Sequence, residues 1–93
     1  MVLLSEINEK MLHILNIIWH GEHAATPVRG GDLVMFTQYH PFEVGNILDA
    51  LISQQYIVDN WEMENGRCIH CFRINGDNEE KVYNMLHTSN LAS

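Results

Sequence analysis

The dipeptide Asn65-Gly66 stands between two runs of alternating residues, DNWEME before it and RCIHCFRI after it. A two-residue hairpin loop of type I′ needs positive φ at both central positions, which asparagine and glycine adopt most readily. A loop of those two residues sets a register in which Glu64 opposes Arg67, Met63 opposes Cys68, Trp61 opposes His70 and Asp59 opposes Phe72. Successive side chains on a strand point to opposite faces. Trp61, Met63, Cys68, His70, Phe72 and Ile74 therefore share one face, which is apolar and is expected to be buried. Glu62, Glu64, Arg67, Ile69, Cys71 and Arg73 share the other, which is mostly charged and is expected to be wet. Cys68 is then a small core residue and Cys71 an exposed thiol.

The same stretch carries Cys68-Ile69-His70-Cys71, and HGEH places His20 and His23 earlier in the chain. Two thiolates and two imidazoles are the donor types of a structural zinc site. Residues three apart on a regular strand face opposite ways, however, so Cys68 and Cys71 cannot both ligate one ion. No metal site and no cofactor are expected.

Four helices accompany the hairpin. Ser5 is a plausible N-cap, and the pattern from there runs helically over 5–21 to Gly21, a residue suited to end a helix. Ile7, Met11, Leu15 and Ile18 fall on one stripe, and Leu12, Ile14, Ile17 and Trp19 widen the apolar surface past the ~100° that a surface helix needs. Thr26-Pro27-Val28 can form a short edge strand. Asp32 is expected to cap a helix over 32–38, and Tyr39-His40-Pro41 breaks it, because a residue before proline is pushed out of the helical region. Pro41 suits the first turn of the next helix, 41–55, in which Val44, Ile47, Leu48, Leu51 and Ile52 recur at helical spacing. The hairpin follows over 56–75. Asp77, with Glu80 three residues on, is expected to open a last helix over 77–87 with Val82, Met85 and Leu86 on its apolar edge.

Ninety-three residues suit one domain, here 1–93, and 46% hydrophobic against 18% charged residues is the balance of a chain that folds. No run approaches the ~18 apolar residues of a membrane span, and MVLLSEINEK lacks the basic region of a signal peptide, so a cytoplasmic protein with reduced thiols is expected. No enzyme is expected either. His13, His40, His70 and His87 are scattered, no serine or cysteine has an assignable base, and no glycine loop matches a phosphate cradle. The net charge of −7, from five Lys plus Arg against twelve Asp plus Glu, has the wrong sign for loose phosphate-driven binding.

Helix, short strand, helix, turn, helix, hairpin, helix is the element order of a winged helix-turn-helix domain. Over residues 5–76 the chain resembles that superfamily, most specifically in GGDLVMFTQYHPFEVGNILDALISQQYIVDN. That stretch looks like the second helix, turn, recognition helix and entry into the wing of small bacterial, archaeal and phage transcription regulators. The resemblance implies an α+β, mainly α fold: a three-helix core, a two-stranded wing and a C-terminal helix. It implies a duplex-DNA-binding regulator whose recognition helix is 41–53, with Phe42, Glu43, Asn46, Asp49 and Ser53 outward. Asn46 has the groups to read an adenine edge, and Glu43 or Asp49 to accept from a cytosine amine. Arg67 at the wing tip suits a minor groove, and Arg29 a phosphate. The alternative partner for Arg67 is Glu64 across the hairpin. A homodimer is implied through the first and last helices, with Leu12, Ile14, Trp19, Tyr83 and Leu86 as candidate contacts. The helix departs from the usual pattern in having no basic outward residue and two acidic ones. That departure favours an alternative, an acidic winged-helix module with a basic protein partner and Phe42 as anchor.

Overall fold

The hairpin forms in the expected register. In the computed structural model, which describes residues 9–92, strands β1 (Ile57–Glu64) and β2 (Arg67–Ile74) pair antiparallel. Glu64 lies opposite Arg67, Met63 opposite Cys68 and Trp61 opposite His70. Asn65 and Gly66 take φ of 53° and 78°, the left-handed values a type I′ loop needs.

Four helices accompany it among the described residues: α1 (Glu9–His23), α2 (Gly30–Thr37), α3 (Pro41–Ser53) and α4 (Glu79–Ala92), the last preceded by a 3₁₀ turn (Gly76–Asn78). The expected N-cap Ser5, and Ile7, lie outside the described residues. One core joins Met11, Ile14, Leu15 and Ile18 of α1, Leu33 of α2 and Val44, Ile47, Leu48 and Leu51 of α3. Tyr56, Ile57, Phe72 and Ile74 enter it from the hairpin root, and Val82 and Leu86 from α4. The 3.6-residue period seen in 41–55 is thus the period of burial on α3.

Local hydrogen bonds place the helix ends differently from the expectation. α1 passes through Gly21 to His23, and Ala25 takes the left-handed position after it at φ 56°. Gly21 is instead a point of close packing, where an added Cβ would sit 2.3 Å from Val28 Cγ2 and 3.0 Å from the Thr26 carbonyl oxygen. Its bare backbone lets the following strand lie against the helix. Val28 then forms a single bridge to β2, its carbonyl accepting from the Phe72 N–H at 2.8 Å. Asp32 does not begin α2. Arg29 holds the cap position, and the Asp32 carboxylate three residues on accepts from the Arg29 N–H at 3.1 Å. Asp77 likewise is not the cap before α4, because the Asn75 side chain accepts from the Asp77 N–H at 3.1 Å. At α3 the cap is His40, whose Nδ1 accepts from the Phe42 N–H, and Pro41 fills the first turn.

Of the face expected to be buried, the root residues Phe72 and Ile74 are buried and the outer part is not. Trp61 and Met63 are 64% and 69% exposed, and Cys68 and His70 are exposed as well, whereas Cys71 is fully buried. Eight-residue strands extend about 26 Å at ~3.3 Å per residue, and the helices cover only their root, at Ile57, Cys71, Phe72 and Ile74. Beyond the root the apolar face stands clear, and its rings pack on one another. Trp61 stacks on His70 at 4.7 Å between ring centroids, and His70 meets Phe72 at 4.9 Å. The charged face is the one drawn to α1, through Arg73 and Glu22.

Candidate nucleic-acid interface

The α2–turn–α3 unit is tied internally and to α1. Thr37 Oγ1 donates to the Leu33 carbonyl at 2.7 Å and accepts from the Tyr39 N–H at 3.1 Å, closing α2 into the turn. The Tyr39 hydroxyl shares a 3.0 Å hydrogen bond with His13 of α1. Lys10 reaches across from α1, its Nζ 2.7 Å from Glu43 Oε2 and 5.0 Å from the Tyr39 ring centre. These contacts tie the turn and the start of α3 to α1 on one side and leave the outer face of α3 uncovered. The hydrogen bond from Lys10 to Glu43 holds the Lys10 ammonium above its usual pKa.

That outer face carries the residues expected from the sequence. Phe42 is 81% exposed, and Asn46, Asp49 and Ser53 are exposed beside it. Glu43 is half-buried and already paired with Lys10. Two apolar side chains of α2 that no sequence pattern singles out, Met35 and Phe36, are exposed at 64% and 66%. Arg29 sits at the start of α2 with Nε 3.7 Å from Asp32 Oδ2. Arg67 lies at the hairpin tip opposite Glu64, and no ion pair joins them among the described residues. Lys10, too, is invisible as a site residue in the sequence, because its partner is 33 positions away and leaves no local signature.

A second polar cluster holds the wing to the body. Glu62 Oε2 accepts from Arg73 Nε, from Asn60 Nδ2 at 2.6 Å and from the Cys71 thiol at 3.4 Å. Arg73 also donates to Glu22 Oε2 at 3.1 Å, and Glu22 Oε1 accepts from the Ile74 N–H at 3.3 Å. The Arg73 hydrogen bond holds the Glu62 carboxyl below its usual pKa, while burial and then Glu62 push the Cys71 thiol up. A thiol so placed is a poor nucleophile, since the thiolate is the reactive form. Of the two cysteines it is Cys68, not Cys71, that solvent reaches.

The candidate dimer contacts divide. Ile14 and Leu86 are buried in the chain's own core, which overturns their assignment to a surface: they stabilise the fold and have no area left for a partner. Leu12 is half-buried on α1. Trp19 and Tyr83 stand 5.9 Å apart between ring centres and wall an open cleft of about 540 Å³ between the end of α1 and the start of α4.

Solved structures of similar shape carry the fold assignment. A mutant of MepR from a multidrug-resistant S. aureus clinical isolate superposes with a TM-score of 0.68 at 13% identity, over 96% of this chain and 66% of that one. S. aureus MepR bound to ethidium bromide gives 0.67 at 12% identity, over 92% of this chain and 64% of that one. The chain thus spans about two thirds of the length of those proteins. No family model matches the sequence, and no curated protein matches it. At such identities the likeness establishes architecture: four helices and a two-stranded antiparallel wing, the winged helix-turn-helix fold.

Proposed function

We propose that this winged-helix chain is a DNA-binding transcriptional regulator, not an enzyme, that acts in the cytoplasm as a homodimer packed through the outer face of α1 around Leu12. One observation carries the reading. The strapped α2–turn–α3 unit leaves the outer face of α3 free, while the hairpin stands off the body with Arg67 at its tip. A free helix of this kind can enter a major groove with the adjoining wing along the backbone. Asn46 supplies the base-edge contact, with Asp49 as an acceptor for a cytosine amine, Phe42 as an apolar contact to a thymine methyl, and Arg67 and Arg29 on phosphate or minor groove, while Glu43 is held by Lys10. Two protomers double what would otherwise be a thin set of cationic contacts.

A second reading rests on the apolar and acidic character of the same surface. Met35 and Phe36 of α2 and Phe42 of α3 are exposed, and α3 carries Glu43 and Asp49, which suits a basic protein partner anchored on aromatic side chains. Binding to duplex DNA across a salt series separates the two. A regulator loses affinity as salt rises, and Arg67→Ala, which removes one phosphate contact from each protomer, shallows the slope of log K against log salt by about 2. Asn46→Ala weakens selected sequences without changing the slope. Absence of binding at about 50 mM salt, where phosphate contacts are strong, would leave the protein-partner reading in place.

A further inference from the structure

The register that keeps Cys68 and Cys71 from sharing one ion brings Cys68 beside other donors. Met63 lies directly opposite Cys68, and His70 follows Cys68 two residues on, opposite Trp61. All four side chains stand on one face of the hairpin. The two-residue loop closes on a hydrogen-bonded pair, Glu64 with Arg67. The next pair, Met63 with Cys68, is therefore of the non-hydrogen-bonded kind, in which side chains lie closest. Cβ atoms of directly opposite residues are about 4.5–5.5 Å apart, which lets a thiol and a thioether reach one ion. Methionine and cysteine are among the residues most often buried, yet Met63 is 69% exposed and Cys68 is exposed across from it. His70 is oriented from two sides. Trp61 lies along its ring, with planes 15° apart. Asp59 Oδ1 stands 3.4 Å from its Nε2, so the neutral ring carries its proton there and its lone pair on Nδ1. A carboxylate on the far nitrogen is the usual support of a metal-binding imidazole. The His70 side chain stays 41% exposed, which leaves its free edge open to solvent.

We propose that Met63, Cys68 and His70 bind a soft monovalent metal ion, Cu(I), through the thioether sulfur, the thiolate sulfur and the imidazole Nδ1. Thiolate and thioether donors select Cu(I) over harder ions. A structural zinc site closes on a full set of Cys, His or carboxylate ligands, and no group of three His, Cys, Asp or Glu side chains converges to hold a metal among the described residues. A set with two sulfurs, one of them a thioether, suits the softer ion. Binding is a ligand exchange without redox. The Cys68 thiol releases its proton to solvent as its sulfur takes the metal, and the copper stays monovalent. The donors sit on the hairpin beyond its root, on a different element from α3, so the assignment stands whether or not the chain binds DNA.

The test titrates the full chain, reduced and free of oxygen, with Cu(I) against a chromophoric Cu(I) chelator. The chain takes one Cu(I) from the chelator. Cys68→Ser weakens binding about a hundredfold, and Met63→Leu and Asp59→Asn about tenfold each. These positions are exposed or half-buried on the hairpin, so circular dichroism stays unchanged in the variants. Cys71→Ala, which removes the buried thiol of the other face, leaves the affinity as it was. In Trp19→Phe, which keeps Trp61 as the one tryptophan of two, Cu(I) quenches the emission saturably and Zn(II) at the same concentrations does not. A chain that yields all its Cu(I) to the chelator would overturn the assignment, as would Met63→Leu binding as tightly as the wild type. So would equal losses in Cys71→Ala and Cys68→Ser, which would make the ion a ligand of both thiols. One Cu(I) for every two chains would overturn it too, since the Cys68 thiolates of two copies would then share the ion.

Discussion

Glu62 is the residue on which the wing's polar cluster converges, and its charge state decides whether that cluster holds. One carboxylate oxygen accepts from Arg73, Asn60 and Cys71, and Arg73 carries the link on to Glu22 of α1. Because Arg73 lowers the folded-state pKa of Glu62 below the ordinary 4.5, folding favours the ionised form. The stability this contributes is complete above the unfolded pKa and is lost as pH falls through the lower folded value. Thermal unfolding followed from about pH 7 to about pH 3 should show the midpoint dropping as acid is added. Glu62→Gln should flatten part of that drop, whereas Glu64→Gln, on an exposed carboxylate with no ion pair among the described residues, should leave it intact. An equal acid dependence in Glu62→Gln and the wild type would show that the cluster holds without the charge. None of this was legible in the DNWEME and RCIHCFRI runs. The alternation told which side chains share a face, but the partner that draws the charged face inward, Glu22, lies 51 positions from Arg73.

Elements were legible where short-range chemistry dominates, and misplaced where another segment decides. The hairpin register followed from Asn65-Gly66 alone, and the start of α3 from Pro41, because both signals act within a few residues, whereas its end falls at Ser53, two residues short of the expected 55. The end of α1 was misplaced because Gly21 looks like a terminator, and its role as a close-packing site is visible only once Val28 lies across it. That contact makes a testable contrast between two helical glycines. Alanine normally favours a helix over glycine by about 1 kcal/mol. At Gly45 nothing lies within 4 Å of the added methyl, so Gly45→Ala should gain about that amount and raise the unfolding midpoint by roughly 4–8 °C. At Gly21 the methyl would collide with Val28 and crowd the Thr26 carbonyl, in a segment pinned by its bond to Phe72. Overpacking of this kind costs about 1–3 kcal/mol, enough to reverse the propensity gain, so Gly21→Ala should lower the midpoint. Denaturant titrations of the two variants check the signs, and parallel shifts would mean that the strand simply moves aside.

Over the whole molecule the question is how an acidic chain presents enough positive charge to hold a phosphate backbone. Net charge of −7 is a sum, and what DNA meets is the local arrangement of five Lys and Arg. Arg73 is committed to Glu22 and Glu62, Arg29 lies near Asp32, and Lys81 sits 5.8 Å from the Tyr56 ring centre. Arg67 is without an ion pair among the described residues, and Lys10 is paired with Glu43 at the edge of α3. Both members of that pair are substantially exposed, at 48% and 39% of their side chains, and an exposed ion pair contributes only about 0–1 kcal/mol. Lys10 can therefore leave Glu43 for a phosphate at little cost, which makes it a reserve contact on the surface where the sequence showed only acids. Glu43→Gln should release it. Affinity for duplex DNA should then rise, and the slope of log K against log salt should steepen by about 1.8, one more phosphate neutralised by each protomer of the dimer. Lys10→Met in that background should take the slope back. If Glu43→Gln instead weakens a selected sequence with the slope unchanged, Glu43 accepts from a base and its bond to Lys10 only positions it. A basic protein partner gives a third pattern: Glu43→Gln weakens that complex, DNA is not bound at low salt, and the acids of α3 are themselves the contact.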